Sequence, residues 1–474
     1  MTDLNSSQKK IELSLQELLY YSFLIIMFTI KGFGLYDGQL FYKLFFVLAF
    51  LCLGGKLLLE EHSKIEWIFI VVLAILVIIM NRYSGEKGPL VIYAIIIGMK
   101  NMDLNKVMKL GACSLGISSL FFVLYKLCDL YNTPYILHKK IGMAQAIRWS
   151  LGYAHPNTTS VTYLAISMLC VYCLGKRYNW KYFLVFSLGN LWVNLYCLSY
   201  TGFLVCTLYL VLALTIKIDT MPRFLYFCAQ LFYPVCVLFS IVIPYIIPTR
   251  IAEYLAENFW TTYSRTLLAK QYANWHTLSI WGINVSTLTD SKYTLDNSYL
   301  YSFIFNGLLF TVLISVLYVF AMNYLVKERN HAAIAIIVAL CVEGIMEPLL
   351  FNTSFKNIGV FFLGWCFWEW MRHFTKNKQE KAILKNNDRV ISFEYNAKIA
   401  NSIVSAAIIL MFFLVCIKNY PFAKINLPSD MHEILAAVNE LEKAMILEQL
   451  RAIVTFAIMI VTGLWMIKNG YKKV

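Results

Sequence analysis

Fourteen apolar runs, most of them about as long as a bilayer is thick, leave this chain few ways to fold. They cover approximately residues 18–36, 39–59, 65–81, 88–100, 107–129, 158–175, 182–199, 200–217, 224–247, 299–326, 331–350, 357–374, 397–417 and 451–468. In lipid, a helix satisfies every backbone donor and acceptor within itself, so helices are the expected form of such runs. Composition agrees: of 474 residues, 59% are hydrophobic and 14% charged, with a mean hydropathy of +0.63. Soluble domains carry about 25% charged residues. A soluble enzyme, a disulfide scaffold and a disordered chain are therefore excluded. The expected fold class is an all-α, polytopic integral membrane protein with 12 to 14 transmembrane helices and a large extracytoplasmic loop. Two runs are the least regular: 88–100 is short, and 182–217 is nearly continuous, turning only around Ser199–Gly202.

The formal charge of +14 would suggest nucleic acid if it formed a patch on a soluble surface. Here the basic residues are scattered among short connections, so no nucleic-acid partner is expected. They set orientation instead. With the N-terminus inside, 24 of the 41 basic residues fall in or beside inner segments and 15 in or beside outer ones, Lys31 and Lys43 lying within spans. An even number of spans puts both termini in the cytoplasm, which makes this a multi-pass protein of the cell membrane. Nearly all of the twelve cysteines sit inside apolar runs, so Cys170 and Cys173 read as packing and no disulfide framework is expected.

Three outer segments are too long to be turns: 130–157, 248–298 and 418–450. In the last, Ile434, Val438, Leu441 and Met445 repeat at helical spacing, which predicts an amphipathic helix over 430–450, lying on the membrane surface or packed on the protein. The chain thus divides into a transmembrane core (1–375) carrying outer loops 130–157 and 248–298, a basic cytoplasmic loop (376–396) and a two-span extension (397–474). It contains no GxxxxGK[ST], no HExxH and no EF-hand loop. The histidines His138, His155, His276 and His432 are isolated, so no metal and no cofactor is expected.

The chemistry-bearing residues concentrate in three places. The first is the stretch from Arg148 through Gly152, Tyr153, Ala154, His155 and Pro156 to Asn157, at the edge of the sixth run. Pro156 fits the first turn of a helix, and Asn157 or Thr158 could satisfy free backbone donors there. Alternatively, Arg148 faces an anionic headgroup and His155 handles a proton, because such residues are expensive this close to hydrocarbon unless used or paired. The second is the segment 248–298, where Arg250, Arg265 and His276 stand among eight aromatics, including Trp260, Trp275 and Trp281. Flat aromatic faces suit sugar rings and guanidinium forks suit phosphate, although a belt at the membrane interface would look similar. The third is Asp296-Asn297-Ser298-Tyr299, which by itself reads as a helix cap. Glu343 and Glu347 are costly within the eleventh run and call for partners that the sequence does not name. Asn190 and Asn194, four apart, read as hydrogen-bonding glue between helices.

Taken together, these motifs resemble the Wzy-type polysaccharide polymerases of the O-antigen polymerase and ligase group. Gly152-Tyr153-Ala154-His155-Pro156-Asn157 is similar to the Gly-x-x-His-Pro-Asn stretch of the Gram-positive members, with Arg148 upstream. Ser264-Arg265-Thr266-Leu267-Leu268, followed by Trp281-Gly282, resembles the Arg-Leu segment and distal glycine of the family's large outer loop. Asp296-Asn297-Ser298-Tyr299 with Gly307 resembles its Asp-Asn-x-Tyr motif. The likeness covers most of residues 1–375. One departure is Tyr200, in Ser199-Tyr200-Thr201-Gly202, where many relatives have arginine.

The resemblance implies a metal-independent glycosyltransferase of the outer membrane face. It would join undecaprenyl-pyrophosphate-linked oligosaccharide repeat units into a surface polysaccharide such as capsule, exopolysaccharide or O-antigen. Membrane lipid, a flippase and a chain-length regulator are the implied partners. Arg265 and Arg148 would bind the departing pyrophosphate. His155 would take the proton of the acceptor hydroxyl, with His276 as substitute. Asn157, Arg250, Asp296 and Asn297 complete the implied substrate-binding set. The rival expectations are a flippase or transporter of lipid-linked oligosaccharide, and a non-catalytic component of the same machinery.

Overall fold

The computed structural model describes residues 8–127, 135–140, 143–248, 250–251, 279–284, 295–377 and 390–396. The sequence expectations at 397–417, 451–468 and 430–450 lie outside them, as do Arg265 and His276.

The protein is mostly helical. In chain order the helices are α1 (Leu15–Gly32), α2 (Leu40–Leu59), α3 (Lys64–Ser84), α4 (Gly88–Gly98), α5 (Leu104–Leu127), α6 (Pro156–Leu174) and α7 (Trp180–Cys197). They continue with α8 (Tyr200–Leu212, prolonged by a 3-10 turn to Lys217), α9 (Arg223–Ile246), α10 (Ser298–Tyr301), α11 (Leu308–Lys327), α12 (His331–Met346) and α13 (Gly359–Asn377). Seven of these segments are long and apolar enough to cross a membrane: α2, α3, α5, α6, α8 with its 3-10 turn, α9 and α11. Their outward faces carry exposed Leu40, Leu51, Leu58, Ile68, Ile75 and Ile78. So much apolar surface facing outward suits lipid rather than water.

Local chemistry sets where helices begin. Ser14 with Glu17 and Ser63 with Glu66 form capping boxes that open α1 and α3. Asn179 and Asn330 cap α7 and α12 through the amides of Lys181 and Ala333. Helix α12 is the central element, packed against α6, α8, α9, α11 and α13. It is apolar on nearly every side, and most residues from His331 to Gly344 are buried.

Two short antiparallel ribbons add strand to the expected helices. β2 (Tyr135–Lys140) pairs with β3 (Met143–Trp149), with Ile136 opposite Arg148. β1 (Gln8–Ser14) pairs with β4 (Val390–Asn396), with Ser14 opposite Val390. The second pairing fixes residues 8–14 and 390–396 on one face, here called the near end. The chain between them must cross an even number of times, which the twelve runs expected between residues 18 and 374 satisfy.

The tenth run, 299–326, is not one helix. Residues Ser302–Asn306 form a π turn after α10, and the chain breaks at Gly307, where φ is 93° and ψ is 161°. Hydropathy is blind to this break, because glycine leaves an apolar run intact while its backbone goes where other residues cannot.

At the near end, buried charges tie four helices together. Lys56 on α2 reaches Glu60 at 2.6 Å and the Lys100 carbonyl at 3.1 Å. Lys100 in turn donates to Glu66 at 2.7 Å and lies 5.3 Å from the Trp368 ring on α13. His62 sits among them, its Nδ1 3.0 Å from Lys100 Nζ. Burial, then the charges of Lys100 and Lys56, push this imidazole down to about 3. Protons therefore prefer the unfolded chain's histidine, and stability falls as pH drops below about 6.5, by up to about 1.4 kcal/mol per unit. Glu60, whose carboxyl burial pushes up, contributes with the opposite sign. His62→Gln is accordingly expected to flatten the acid limb of a plot of melting temperature against pH. An unchanged slope would remove His62 as its cause.

Candidate functional site

At the distal end, opposite the two terminal strands, the motif at 152–157 folds as a tight turn feeding α6. Leu151 and Gly152 both take positive φ, 50° and 94°. A side chain at Gly152 would strike Phe122 and Lys126, so glycine is required there twice over. Tyr153 is buried and donates its hydroxyl to the Gly32 carbonyl at 2.8 Å, pinning the turn to the end of α1. Thr159 reaches back to the Ser150 carbonyl at 2.6 Å. Pro156 occupies the first helical position, as its spacing predicts. The cap is His155 itself: its Nδ1 accepts the backbone N–H of Asn157 at 3.1 Å. That bond places the proton of a neutral ring on Nε2, so the half-buried histidine presents a donor there.

Asn157 stands between a cation and an anion. Arg148 on β3 donates from Nη2 to Asn157 Oδ1 at 2.6 Å and from Nε to the Cys197 carbonyl at 3.0 Å. Asn157 Nδ2 then donates to Glu347 Oε1 at 2.7 Å. The amide dipole thus lies in the sense that both charges favour. Thr201 also donates to Glu347 Oε1, at 3.3 Å. Arg148 and Glu347 are each only 5% exposed. Glu347 caps the C-terminal end of α12, and its carbonyl receives the Ser298 hydroxyl at 2.5 Å. Asn297 accepts the amides of Tyr299 and Leu300, so it is the cap of α10, while its Nδ2 donates to Ser240 at 2.9 Å and Ile345 O at 3.2 Å.

Three separated motifs therefore converge on the end of α12: 148–157, the turn at 199–202 and 296–299. The partner that Glu347 needed is Asn157, joined by Thr201. Tyr200 opens α8 in the turn adjoining the Cys197 carbonyl that Arg148 grips. Asp296 is half-buried beside Asn297. Arg250 is exposed and helical beyond the end of α9, and no hydrogen bond or ion pair joins it to the cluster among the described residues. Sequence reasoning passed over Lys356, which donates to the Thr158 carbonyl at 2.9 Å. A lysine in so apolar a neighbourhood was the available signal.

The cluster's energetics are testable. Glu347→Ala removes both the buried charge and the oxygen that accepts from Asn157 and Thr201, and is expected to cost about 3–5 kcal/mol of stability. Glu347→Gln keeps an acceptor oxygen for Asn157 and Thr201 and should cost clearly less. Thermal melting of the detergent-solubilised variants measures both. Equal losses would mean that the charge carries the whole cost and the acceptor oxygen none of it.

Among the described residues no group of three His, Cys, Asp or Glu side chains is arranged to hold a metal ion. Fold and cluster together define a helical membrane protein with a buried polar site at one end. No family model, curated protein or solved structure matches the chain.

Proposed function

We propose that this protein joins polyprenyl-pyrophosphate-linked oligosaccharide units by glycosyl transfer, with the distal end facing outward. The supporting observation is the convergence of the 148–157, 199–202 and 296–299 motifs on Glu347. In the reaction, the bond between the donor's anomeric carbon and its phosphate oxygen breaks, its electron pair leaving with the pyrophosphate. The acceptor hydroxyl oxygen bonds to that carbon and loses its proton to a base. Arg148, oriented by Asn157, and Arg265, in the 248–298 segment, supply cations for the departing charge. His155, with Nδ1 engaged in its cap, offers Nε2–H to a phosphate or sugar oxygen. The proton acceptor is then His276.

The deciding experiment is incubation of the purified protein with a purified lipid-linked repeat unit, followed by analysis of glycan length. A ladder of products, formed also in excess chelator, is the expected result. Transbilayer movement of the lipid without chain growth would replace this reading with a transporter.

A further inference from the structure

Two lysines at the distal end are buried without a carboxylate in ion-pair reach among the described residues. Lys356, in the connection between α12 and α13, is 4% exposed, and Lys31, in the last turn of α1, is 6% exposed. Lys356 Nζ gives one hydrogen bond, to the Thr158 carbonyl at 2.9 Å, and lies 5.5 Å from the Tyr153 ring. Lys31 Nζ gives one, to the Leu35 carbonyl at 3.3 Å, and lies 4.2 Å from the Tyr42 ring. An ammonium has three donors, so each lysine is left with donors that these carbonyls do not use.

Tyr153 connects the two. Its ring carries Lys356, and its hydroxyl holds the carbonyl of Gly32, the residue after Lys31. Burial, and then the charge of Lys31, hold the Lys356 ammonium well below its ordinary range, while Glu343 acts in the opposite sense. Aromatic faces offset part of the cost of a buried cation, but neither ring removes its charge. A buried ammonium that feels a carboxylate only beyond ion-pair distance, as Lys31 feels Asp37 and Lys356 feels Glu343, is expensive, and two neighbouring ones are more so. The Thr158 carbonyl that Lys356 grips follows directly on Asn157, so the pair adjoins the Arg148 cluster.

We infer that Lys31 and Lys356 form an anion site that takes a phosphate or pyrophosphate group. The choice of a lipid-borne pyrophosphate as its natural occupant rests on the polymerase reading; the site's demand for an anion does not. A diphosphate carries enough negative charge to meet both lysines.

The test is binding rather than turnover. The full-length protein, in nanodiscs of zwitterionic lipid, is titrated with polyprenyl pyrophosphate and, separately, with inorganic pyrophosphate while its melting temperature is followed. The parent protein should be stabilised by at least one of them. Response to both identifies a site for the free group, and response to the lipid alone a headgroup site; either supports the inference. Lys31→Met and Lys356→Met should each weaken binding at least tenfold. Unliganded Lys356→Met should melt no lower than the parent, since a buried charge without a partner at ion-pair distance has been removed. Lys31→Gln and Lys356→Gln serve where the methionine variants do not fold. Anion binding unchanged in the variants, or absent in the parent, overturns the site. Binding that depends on the lysines in a protein that makes no polymer would leave the site standing and remove the polymerase reading.

Discussion

His155→Asn is expected to accumulate and melt like the parent protein, yet to extend lipid-linked glycan about 10²–10³-fold more slowly. On the proposed function, one side chain does two separable jobs. As a cap, His155 needs only an acceptor for the Asn157 amide, and asparagine is among the best caps known. As a substrate ligand, it needs the donor on Nε2, aimed at an oxygen on which charge develops. Losing one such donor typically costs about 10²–10³ in rate. His155→Ala removes both functions, so it should lose the same activity and, in addition, about 1 kcal/mol of stability. Comparing the melting temperature and the turnover per folded molecule of the two variants decides the matter. If His155→Asn polymerises at the parental rate, the residue is a cap and nothing more.

Gly307→Ala is expected to prevent accumulation of folded protein. Its φ of 93° and ψ of 161° lie in a region essentially reserved for glycine. A methyl group there would fall on the backbone nitrogen of Gly282, with the Ile280 carbonyl oxygen 2.6 Å away and the Trp281 carbonyl carbon 2.7 Å away. Gly282, at φ 91°, would in turn drive a side chain onto the Phe305 carbonyl. Backbone cannot swing aside as a side chain can. The contact also caps α11, because the amides of Leu308 and Leu309 donate to Ser279 O at 3.0 Å and Ile280 O at 3.2 Å. Strain and lost capping together should cost about 3 kcal/mol or more. Gly175, also at positive φ but with nothing within 4 Å, is the control, and Gly175→Ala should cost about 1–3 kcal/mol, from backbone strain alone. Comparable yields of the two variants would show that the 282–307 contact is dispensable.

The helices were the legible part of this sequence. The run at 158–175 became α6 (Pro156–Leu174), and the turn expected near Ser199 separates α7 from α8. Apolar content and length carry that information directly. The β1–β4 ribbon did not show because its strands lie nearly the whole chain apart, although the alternation from Ile391 to Asn396 was an available signal. Around the site, residue types signalled cost but not partnership. Glu347 was visibly expensive, while its bond to Asn157 spans 190 positions and leaves no local trace. The cap of α6 was misplaced onto Asn157 or Thr158 because histidine is not among the usual capping residues. What the segment holding Arg265 and His276 does lies outside the described residues.

The pairing of β1 with β4 has a bearing on how the protein is made. Strand β1 leaves the ribosome first, and its partner is synthesised about 380 residues later. At ordinary elongation rates of about 5–20 residues per second, that is a wait of tens of seconds. Throughout it, seven residues of unpaired strand edge stay on the side of the membrane where β4 will appear. Closure of that ribbon is therefore a late event of biogenesis, and it comes only after every helix from α1 to α13 has been synthesised. A chain interrupted before residue 390 leaves that edge open, which gives quality control a feature by which to tell an unfinished molecule from a complete one.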